Sequence, residues 1–567
     1  MSDDSYQDDH PARHPRAFML DEKRRRVLSE IDGAPFSWFH VKICLVAGVG
    51  FFTDAYDIFA VGIAVTMIGY VYGTTSSSHP LSRALTYRQE LGIKVATPVG
   101  NVVGQLFFGW LADVLGRKRM YGIELIIIMT ATFGQAMSGS GPAMSIVGAI
   151  VVWRFIMGVG IGGDYPLSAI ISSEFAAVGL RGKLMTAVFA FQGWGNLCAA
   201  LVSLVVLTAY KDSIIGDTMP DLNHVDYLWR LVIGLGCIPC ALAIYFRLTI
   251  PETPRFTLDV NRNVAQAAQD VENVLSLGTF YHNPDEVFVR VHVPQANPRD
   301  FARYFSNWDN FKVLFGAAYS WFAIDIAYYG LGLNTSSLWQ AMGFASANPQ
   351  TSSDAFQALR NICVANIITS VAGLIPGYWV SFLFIDSWGR RPIQLMGFSV
   401  LTVLFAIMGF AYEKLIATPS SRGGLMFLFC LANFFSNFGP NTTTFIIPGE
   451  AFPTRYRSTA HGISAASGKI GAIIAQVCYN QLKDLGGPNK FVKHIFEIFA
   501  VFMITGIFST LLIPETKERS LEDISNENQQ GFVSGVIGAA QEPREPPMRA
   551  QNRDVWQQAG DHLQRIM

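Results

Sequence analysis

Residues 160–174 have the sequence Gly-Ile-Gly-Gly-Asp-Tyr-Pro-Leu-Ser-Ala-Ile-Ile-Ser-Ser-Glu, which places an acid, Asp164, inside a segment otherwise apolar enough to cross a bilayer. A carboxylate at membrane depth is costly unless it faces a bundle interior or water, so it marks a path for ions, protons or substrate. The glycines before it and Pro166 after it predict a kink or break that offers polar backbone to a ligand. The alternative is a packing kink whose acid has a structural partner.

The composition of the whole chain agrees with a membrane protein. Of 567 residues, 50% are hydrophobic and only 15% are charged, which is typical of a polytopic protein. A formal net charge of -1 gives no electrostatic case for a nucleic-acid partner. No nucleotide-binding loop, metal-ligand cluster or nucleophile–base pair is recognisable, so the sequence predicts neither an enzyme nor a cofactor.

Apolar runs of about 20 residues predict an all-α protein with twelve transmembrane helices. The spans are expected near 41–71, 93–115, 120–138, 145–175, 183–209, 229–250, 312–344, 360–386, 392–413, 423–449, 458–481 and 492–513. The predicted domains are an amino tail (1–40), a first six-helix bundle (41–250), a polar central loop (251–311), a second six-helix bundle (312–513) and a disordered tail (514–567).

Basic residues gather in the tails, the central loop and some of the short links, as in Arg117-Lys118-Arg119. The positive-inside rule therefore predicts that both termini and the central loop are cytoplasmic. The two tails are candidate docking segments for regulatory proteins.

Three features occur in both halves of the chain. The motif Asp113-x2-Gly-Arg-Lys recurs as Asp386-x2-Gly-Arg-Arg. Glu174, which precedes Arg181, recurs as Glu450, which precedes Arg455. The Pro-Glu-Thr that begins at residue 251 recurs at residue 514. Such recurrence indicates an internal duplication. The Asp-x-x-Gly-Arg-Arg/Lys turn, present twice, resembles the hallmark of the major facilitator superfamily. That resemblance implies two pseudo-symmetric six-helix bundles.

Several opposite charges lie at the predicted cytoplasmic helix ends or within the membrane. Such charges can hold helices together in one state and release them in another. We expect a gating or structural role for Asp113, Arg117, Arg154, Glu174, Arg181, Asp386, Arg390, Glu450 and Arg455.

Three stretches narrow the resemblance. Residues 162–174, 438–445 and 453–469 are similar to sequences of the phosphate:proton symporters, the last two to those of the high-affinity type in fungi. The resemblance covers residues 41–518 and implies phosphate and protons as substrates and the plasma membrane as the location. Its pattern also places the neutral donors Gln192 and Asn441 at the phosphate.

Acids in the first and third predicted helices are candidates for proton handling. Asp54 and Asp57 are three residues apart and so share a helix face, where each can take a proton that the other repels. Glu124 is either a proton exit or an acid at a helix end that reaches the interface. Asp164 is expected on the proton path as well as at the phosphate.

The seventh and eleventh predicted helices supply the remaining expected ligands. Trp321, Asp325 and Tyr329 recur every four residues and line one stripe. A lysine as deep as Lys469 needs a counter-charge or an anion, and we hypothesise an ion pair with Asp164 that substrate and proton compete to break. Tyr165 is a further expected donor.

The donors and acceptors favour phosphate over sulfate. Phosphate keeps an O–H that a carboxylate such as Asp325 can accept, whereas sulfate has no proton to give. Two alternatives stay open: a phosphate-sensing receptor, and a carrier of sugar or another organic solute in the same superfamily.

Overall fold

The computed structural model describes residues 32–33, 35–76, 79–248, 252–259, 297–346 and 348–524. Predictions about the amino tail, most of the central loop and the end of the carboxyl tail lie outside the described residues. We call residues 38–259 the first half and residues 297–524 the second half.

The first half is helical apart from one short hairpin among its described residues. Its elements are α1 (Trp38–Tyr72), β1 (Thr74–Ser76), β2 (His79–Ala84), α2 (Tyr87–Leu115), α3 (Arg117–Met120), α4 (Ile123–Ala136), α5 (Ile146–Phe175), a 3-10 turn (Val178–Leu180), α6 (Arg181–Ala209), α7 (Lys211–Gly216), α8 (His224–Gly234), α9 (Cys237–Arg247) and α10 (Pro254–Asp259). The two strands pair antiparallel.

The second half repeats this pattern of long helices joined by short links. Its elements are α11 (Pro298–Ser306), α12 (Trp308–Gly332), α13 (Thr335–Ala341), α14 (Ser352–Thr369), a π turn (Ser370–Leu374), α15 (Ile375–Trp388), α16 (Arg390–Phe410), α17 (Tyr412–Ile416), α18 (Pro419–Asn437), α19 (Pro440–Ala451), α20 (Arg457–Leu482), α21 (Val492–Thr510) and α22 (Leu521–Ile524).

Eight helical segments in the described chain are long and apolar enough to cross a membrane. They are Trp38–Tyr72, Tyr87–Leu115, Ile146–Phe175, Val178–Ala209, His224–Arg247, Ser352–Trp388, Arg390–Phe410 and Val492–Thr510. The other four predicted spans correspond to α4, α12, α18 with α19, and α20. The first of these is only 14 residues long, and α12 and α20 carry buried polar and charged side chains that lower their hydropathy.

The helices differ from the predicted spans where a local feature stops or extends them. The predicted span 312–344 ends its main helix at Gly332, because the Asn334 side chain bonds Gly330 O and Gln476 instead of continuing the helix. The predicted span 423–449 is interrupted before Pro440, which lacks the N–H that helix continuation needs. The predicted span 360–386 begins earlier, at Ser352, where Thr351 caps the helix.

The break predicted around Asp164 does not occur. Helix α5 runs through Pro166 without interruption, and the glycines serve helix packing instead. A Cβ on Gly162 would lie 2.5 Å from the backbone oxygen of Asn101 in α2, so only glycine permits this approach. Helix α5 is thereby fixed against α2.

The two halves meet along two seams. Helices α2 and α20 pack together along one seam, and α6 and α15 pack along the other. Large apolar side chains such as Trp110, Val152 and Phe410 are exposed on the outside, whereas many charged side chains are buried between the helices. This inside-out distribution is what a lipid environment requires.

Candidate functional site

A buried ion pair lies near the middle of the molecule, between α12 and α20. The Lys469 Nζ donates to Asp325 Oδ2 at 2.7 Å, and both side chains are 1% exposed. The same ammonium lies 4.3 Å from the ring centroid of Tyr329 and 5.0 Å from that of Tyr165. The cation is therefore held by one carboxylate and two aromatic faces.

Gly468 makes this approach of the two helices possible. A Cβ at this position would lie 2.5 Å from Trp321 Cδ1 and 2.9 Å from Asp325 Oδ2. Trp321 itself is 1% exposed, and its ring centroid is 6.4 Å from that of Tyr165. The predicted stripe of α12 thus faces α20 and α5.

Neutral donors extend from the ion pair across the second seam. Gln192 Nε2 donates to Tyr165 Oη at 3.0 Å, and Tyr165 Oη lies 3.4 Å from Tyr329 Oη. Asn441 Nδ2 donates to Tyr378 Oη at 3.0 Å, which in turn lies 3.5 Å from Gln192 Oε1. Groups from α5, α6, α12, α15 and α19 converge in this way.

Most residues predicted to contact phosphate come together here. They are Tyr165, Gln192, Trp321, Asp325, Tyr329, Asn441 and Lys469, and we call them with Tyr378 the central cluster. Sequence reasoning missed Tyr378, which lies in an apolar span without a charged neighbour to mark it. The cluster presents one cation, one carboxylate and several neutral donors to a small space.

An aromatic floor closes one side of the central cluster. Phe445 of the second half stacks on Phe189 of the first half with ring centroids 4.4 Å apart, and Phe51 lies edge-on to both. Phe51 also contacts Tyr165 at 5.1 Å. Passage through this side requires the two halves to separate.

Asp164 does not join the central cluster, and the predicted ion pair with Lys469 is wrong. Consecutive residues of a helix point about 100° apart, so Tyr165 faces the cluster while Asp164 faces α9. There Arg247 Nη2 donates to Asp164 Oδ2 at 2.7 Å, and Ser168 donates to the other oxygen at 2.5 Å. Arg247 Nη1 also donates to Glu124 at 2.6 Å.

Arg247 was not identified from the sequence, although it lies inside the predicted span 229–250. In the structure it is fully buried, with its guanidinium 4.1 Å from the Tyr121 ring centroid. An arginine three residues before the end of an apolar run was the available signal.

Asp54 lies in the same region of the first half. It is fully buried, and neither carboxylate oxygen has a hydrogen-bond partner in the described part of the chain. Arg247 donates to both Glu124 and Asp164, and Asp54 lies one helical turn after Gly50, whose Cα abuts this ion pair. Gly50, one helical turn before Asp54, leaves room for the Arg247–Asp164 ion pair, because a Cβ at this position would lie 1.6 Å from Arg247 Nη2.

Asp57 faces a separate polar contact. Thr132 Oγ1 donates to its Oδ2 at 2.9 Å, while its Oδ1 has no partner among the described residues. Gly236 leaves space beside it, since a Cβ would lie 2.3 Å from Oδ1. Arg154, predicted as a gating charge, is buried and donates to Ile93 O at 2.9 Å.

Two matching charge networks lie at one end of the molecule, which we call the Glu174 end. Glu174 accepts from Arg117 at 3.3 Å and from Thr253 at 2.6 Å. In the second half, Glu450 accepts from Arg390 at 2.8 Å and from Thr516 at 2.5 Å. The recurring Pro-Glu-Thr and Gly-Arg motifs therefore build the same contact twice.

Two carboxylates join the halves at this end by capping a helix of the opposite half. Asp113 accepts from the backbone N–H of Thr459 at 2.7 Å, in the first turn of α20. Asp386 accepts from the N–H of Lys183 at 3.0 Å, in the first turn of α6. Free N–H groups and the helix dipole favour a negative charge at both places.

Arginines of both halves bridge this end, and one of them, Arg457, was not predicted from the sequence. Arg457 is buried and donates to Glu174 at 3.0 Å, across the first seam. It lies seven residues after Glu450, as Arg181 lies seven after Glu174, so the spacing was the missed signal. Arg455 instead pairs with Asp300 at 3.0 Å, and Arg181 lies 3.5 Å from Asp32.

The opposite end, which we call the Lys94 end, is also closed. Buried Lys94 donates to Glu90 at 2.5 Å and to Asn334 Oδ1 at 2.9 Å. Asn334 donates to Gln476 at 3.0 Å, and Ser336 donates to Gly62 O at 2.5 Å. With both ends bridged, the central cluster is occluded.

Comparisons with known proteins agree with this architecture. The sugar (and other) transporter family model matches residues 43–527. A repressible high-affinity phosphate permease of Neurospora crassa is 47% identical over 528 residues, covering 89% of this chain and 90% of that protein. An inorganic phosphate transporter of Saccharomyces cerevisiae is 45% identical over 533 residues, covering 89% and 87%.

Solved structures give the fold. The major facilitator superfamily proton:xylose symporter XylE of E. coli, bound to 6-bromo-6-deoxy-D-glucose, aligns with a TM-score of 0.64 at 19% identity, covering 87% of this chain and all of that one. The predicted all-helical fold of this superfamily is thereby confirmed.

Proposed function

The chain belongs to the sugar (and other) transporter family within the major facilitator superfamily, and on that premise we propose that it imports inorganic phosphate together with protons. The relatives named as phosphate permeases and transporters, at 45–47% identity over most of the chain, support the substrate. The protein is a membrane transporter and not an enzyme.

One observation carries the substrate assignment: a buried lysine–carboxylate pair surrounded by neutral donors. Lys469 supplies a cation for an anionic ligand, and Asp325 supplies an acceptor for a ligand O–H. Tyr165, Gln192 and Asn441 can serve the remaining oxygens. A dihydrogen or monohydrogen phosphate satisfies both kinds of group, whereas a neutral sugar does not need a buried ion pair and sulfate offers no proton to Asp325.

The proton is handled separately, in the first half. Asp54 lacks a hydrogen-bond partner among the described residues and lies one turn from the Gly50 position that abuts Arg247 and Asp164. We assign proton uptake and release to Asp54, with Asp164 and Glu124 competing for the same Arg247. Asp57 is the candidate that passes protons to Asp54 from the Lys94 end.

The cycle that follows is alternating access. When the Lys94 end opens, Asp54 takes up a proton and phosphate enters the central cluster, where it competes with Asp325 for Lys469. When the Glu174 end opens, loss of the proton returns negative charge to the first half and favours phosphate release. The charges Asp113, Arg117, Glu174, Asp386, Arg390 and Glu450 stabilise the closed Glu174 end, with Arg457 joining the two halves.

The positive-inside rule gives the orientation of this cycle. The basic links Arg117-Lys118-Arg119 and Arg390-Arg391 lie at the Glu174 end, so we place that end, with both termini, in the cytoplasm. The Lys94 end then faces outward. We place the chain in the plasma membrane, as its resemblance to the phosphate:proton symporters implies.

Uptake of radiolabelled phosphate into proteoliposomes tests the proposal. With an inward proton gradient, the native chain should accumulate phosphate, and excess sulfate or glucose should not compete. Asp325→Asn should abolish this accumulation, while Asn366→Ala, at a partly buried position of α14 outside the central cluster, serves as the control. Absence of gradient-driven uptake with phosphate binding intact would favour a phosphate-sensing receptor instead.

A further inference from the structure

Four buried residues near the first seam carry polar atoms that have no hydrogen-bond partner in the described chain. They are Gln105, through both its amide nitrogen and oxygen, Arg457 through Nη2, Ser458 through Oγ and His461 through Nδ1. All four side chains are 0% exposed. An unsatisfied buried polar atom costs about 1–3 kcal/mol, so these groups are expected to find partners in another conformation.

These residues lie where the two halves meet. A Cβ on Gly109 of α2 would lie 2.9 Å from Ser458 O, and a Cβ on Gly462 of α20 would lie 2.3 Å from Gln105 O. The backbones of α2 and α20 therefore touch along this part of the seam. Opening of the Glu174 end separates these surfaces and admits water between them.

The α20 residues form a continuation of the central cluster. His461 and Lys469 are eight residues apart on one helix face, an axial distance of about 12 Å, and Arg457 lies about 6 Å beyond His461. The His461 ring lies edge-on to Trp321 and Phe445, with centroid distances of 5.4 and 5.6 Å. The line from Lys469 to Arg457 thus passes the aromatic floor and ends at the Glu174 end.

Arg457 is held in the closed state by an acid of the opposite half. It donates to Glu174 at 3.0 Å and to Phe452 O at 2.9 Å. When the halves separate at this end, the Glu174 contact breaks and a guanidinium faces the newly opened space. An anion that leaves the central cluster then meets a cation that was neutralised before opening.

We propose that Gln105, Arg457, Ser458 and His461 form a second, transient phosphate site on the path from the central cluster to the Glu174 end. The site matches the ligand: guanidinium, amide and hydroxyl donors serve the phosphate oxygens, and the free His461 Nδ1 accepts a phosphate O–H. His461 Nε2 faces Phe445 O at 3.1 Å, which leaves Nδ1 as the acceptor. This inference rests on the proposed function.

The test separates release from binding with His461→Phe and Gln105→Leu. Gln105→Leu removes only side-chain polar atoms that are unsatisfied in the occluded state, so it should not unfold at a lower temperature than the native chain. His461→Phe also removes the contact of Nε2 with Phe445 O, so its unfolding temperature is expected to fall. We expect the phosphate affinity of each variant in detergent to stay within two-fold of the native value. The kcat of each variant for proton-driven uptake should fall at least five-fold below the native value, without a rise in KM. Tyr412→Phe, which removes another buried hydroxyl without a described partner but far from the seam, should leave kcat unchanged.

Two results would overturn the second site. The first is uptake by both variants within two-fold of the Tyr412→Phe control. The second is an equal loss of binding and uptake, which would place these residues in the central cluster or the fold. If His461→Phe does not fold, Ser458→Ala gives the same comparison with the loss of one oxygen. Failure of the native chain to accumulate phosphate would instead refute the proposed function on which this site depends.

Discussion

One added methyl group at Gly50 should disrupt the Arg247–Asp164 ion pair, which lies in the region that we propose handles the proton. A Cβ there would lie 1.6 Å from Arg247 Nη2 and 2.4 Å from Asp164 Oδ2. Neither atom lies in the backbone, but both belong to a fully buried ion pair with little room to move. Gly50→Ala therefore acts on the pair without touching either charged residue.

The size of the effect follows from the distances. A carbon and a nitrogen atom reach van der Waals contact at about 3.4 Å. Because Arg247 Nη2 would lie 1.6 Å from the added Cβ, the guanidinium must move away by roughly 1.8 Å. Asp164 Oδ2, 2.4 Å from the added Cβ, must move as well, so the hydrogen bond that Nη2 makes to Asp164 at 2.7 Å is distorted or broken. Disrupting a buried ion pair costs about 3–5 kcal/mol, and the better helix propensity of alanine returns about 1 kcal/mol. The net loss is about 2–4 kcal/mol.

Gly62→Ala is the matched control on the same helix. A Cβ at Gly62 would meet Thr335 Oγ1 at 3.5 Å, an ordinary contact. In detergent, Gly50→Ala should unfold at a lower temperature than the native chain and should retain less than a tenth of its proton-driven phosphate uptake, whereas Gly62→Ala should resemble the native chain in both. Equal stability and uptake for the two variants would refute the reasoning about the Arg247 pair.

Further predictions concern the central cluster and the two ends. Lys469→Gln removes a charge-assisted contact worth about 1.5–3 kcal/mol, so phosphate affinity measured by calorimetry should fall at least ten-fold, and unchanged affinity would exclude Lys469 as a ligand. Glu174→Gln weakens the contacts to Arg117 and Arg457, so hydrogen exchange in the first turn of α20 should become faster, while unchanged exchange would argue against gating there. Lys94→Met should have the corresponding effect on α13 at the opposite end, and no change would show that the Lys94 contacts do not hold that end closed.

The fold was largely predictable because hydropathy and duplication leave strong marks in a sequence. Apolar runs located the long helices, and the two Asp-x-x-Gly-Arg turns identified the superfamily. Helix ends were predicted less well, since they depend on single side chains such as Asn334 and Thr351. The polar helices α12 and α20 show the limit of hydropathy, because the residues that form the site make a span less apolar.

The central cluster was predictable where the deciding property was spacing along one helix. Trp321, Asp325 and Tyr329 share a stripe that the structure retains. Pairing between helices was not predictable, because it depends on rotation about each helix axis. Asp164 and Tyr165 are neighbours in sequence but face different sides of α5, so Asp164 meets Arg247 and Lys469 meets Asp325.

The most direct test of proton-coupled phosphate transport compares the native chain with Asp54→Asn in proteoliposomes. Asparagine keeps the size of the side chain but cannot exchange a proton, so the variant should still exchange internal for external phosphate while losing accumulation driven by an inward proton gradient. The native chain should show both activities. Equal gradient-driven accumulation by the variant would contradict the role of Asp54, and a native chain that exchanges phosphate without responding to the gradient would contradict proton coupling itself.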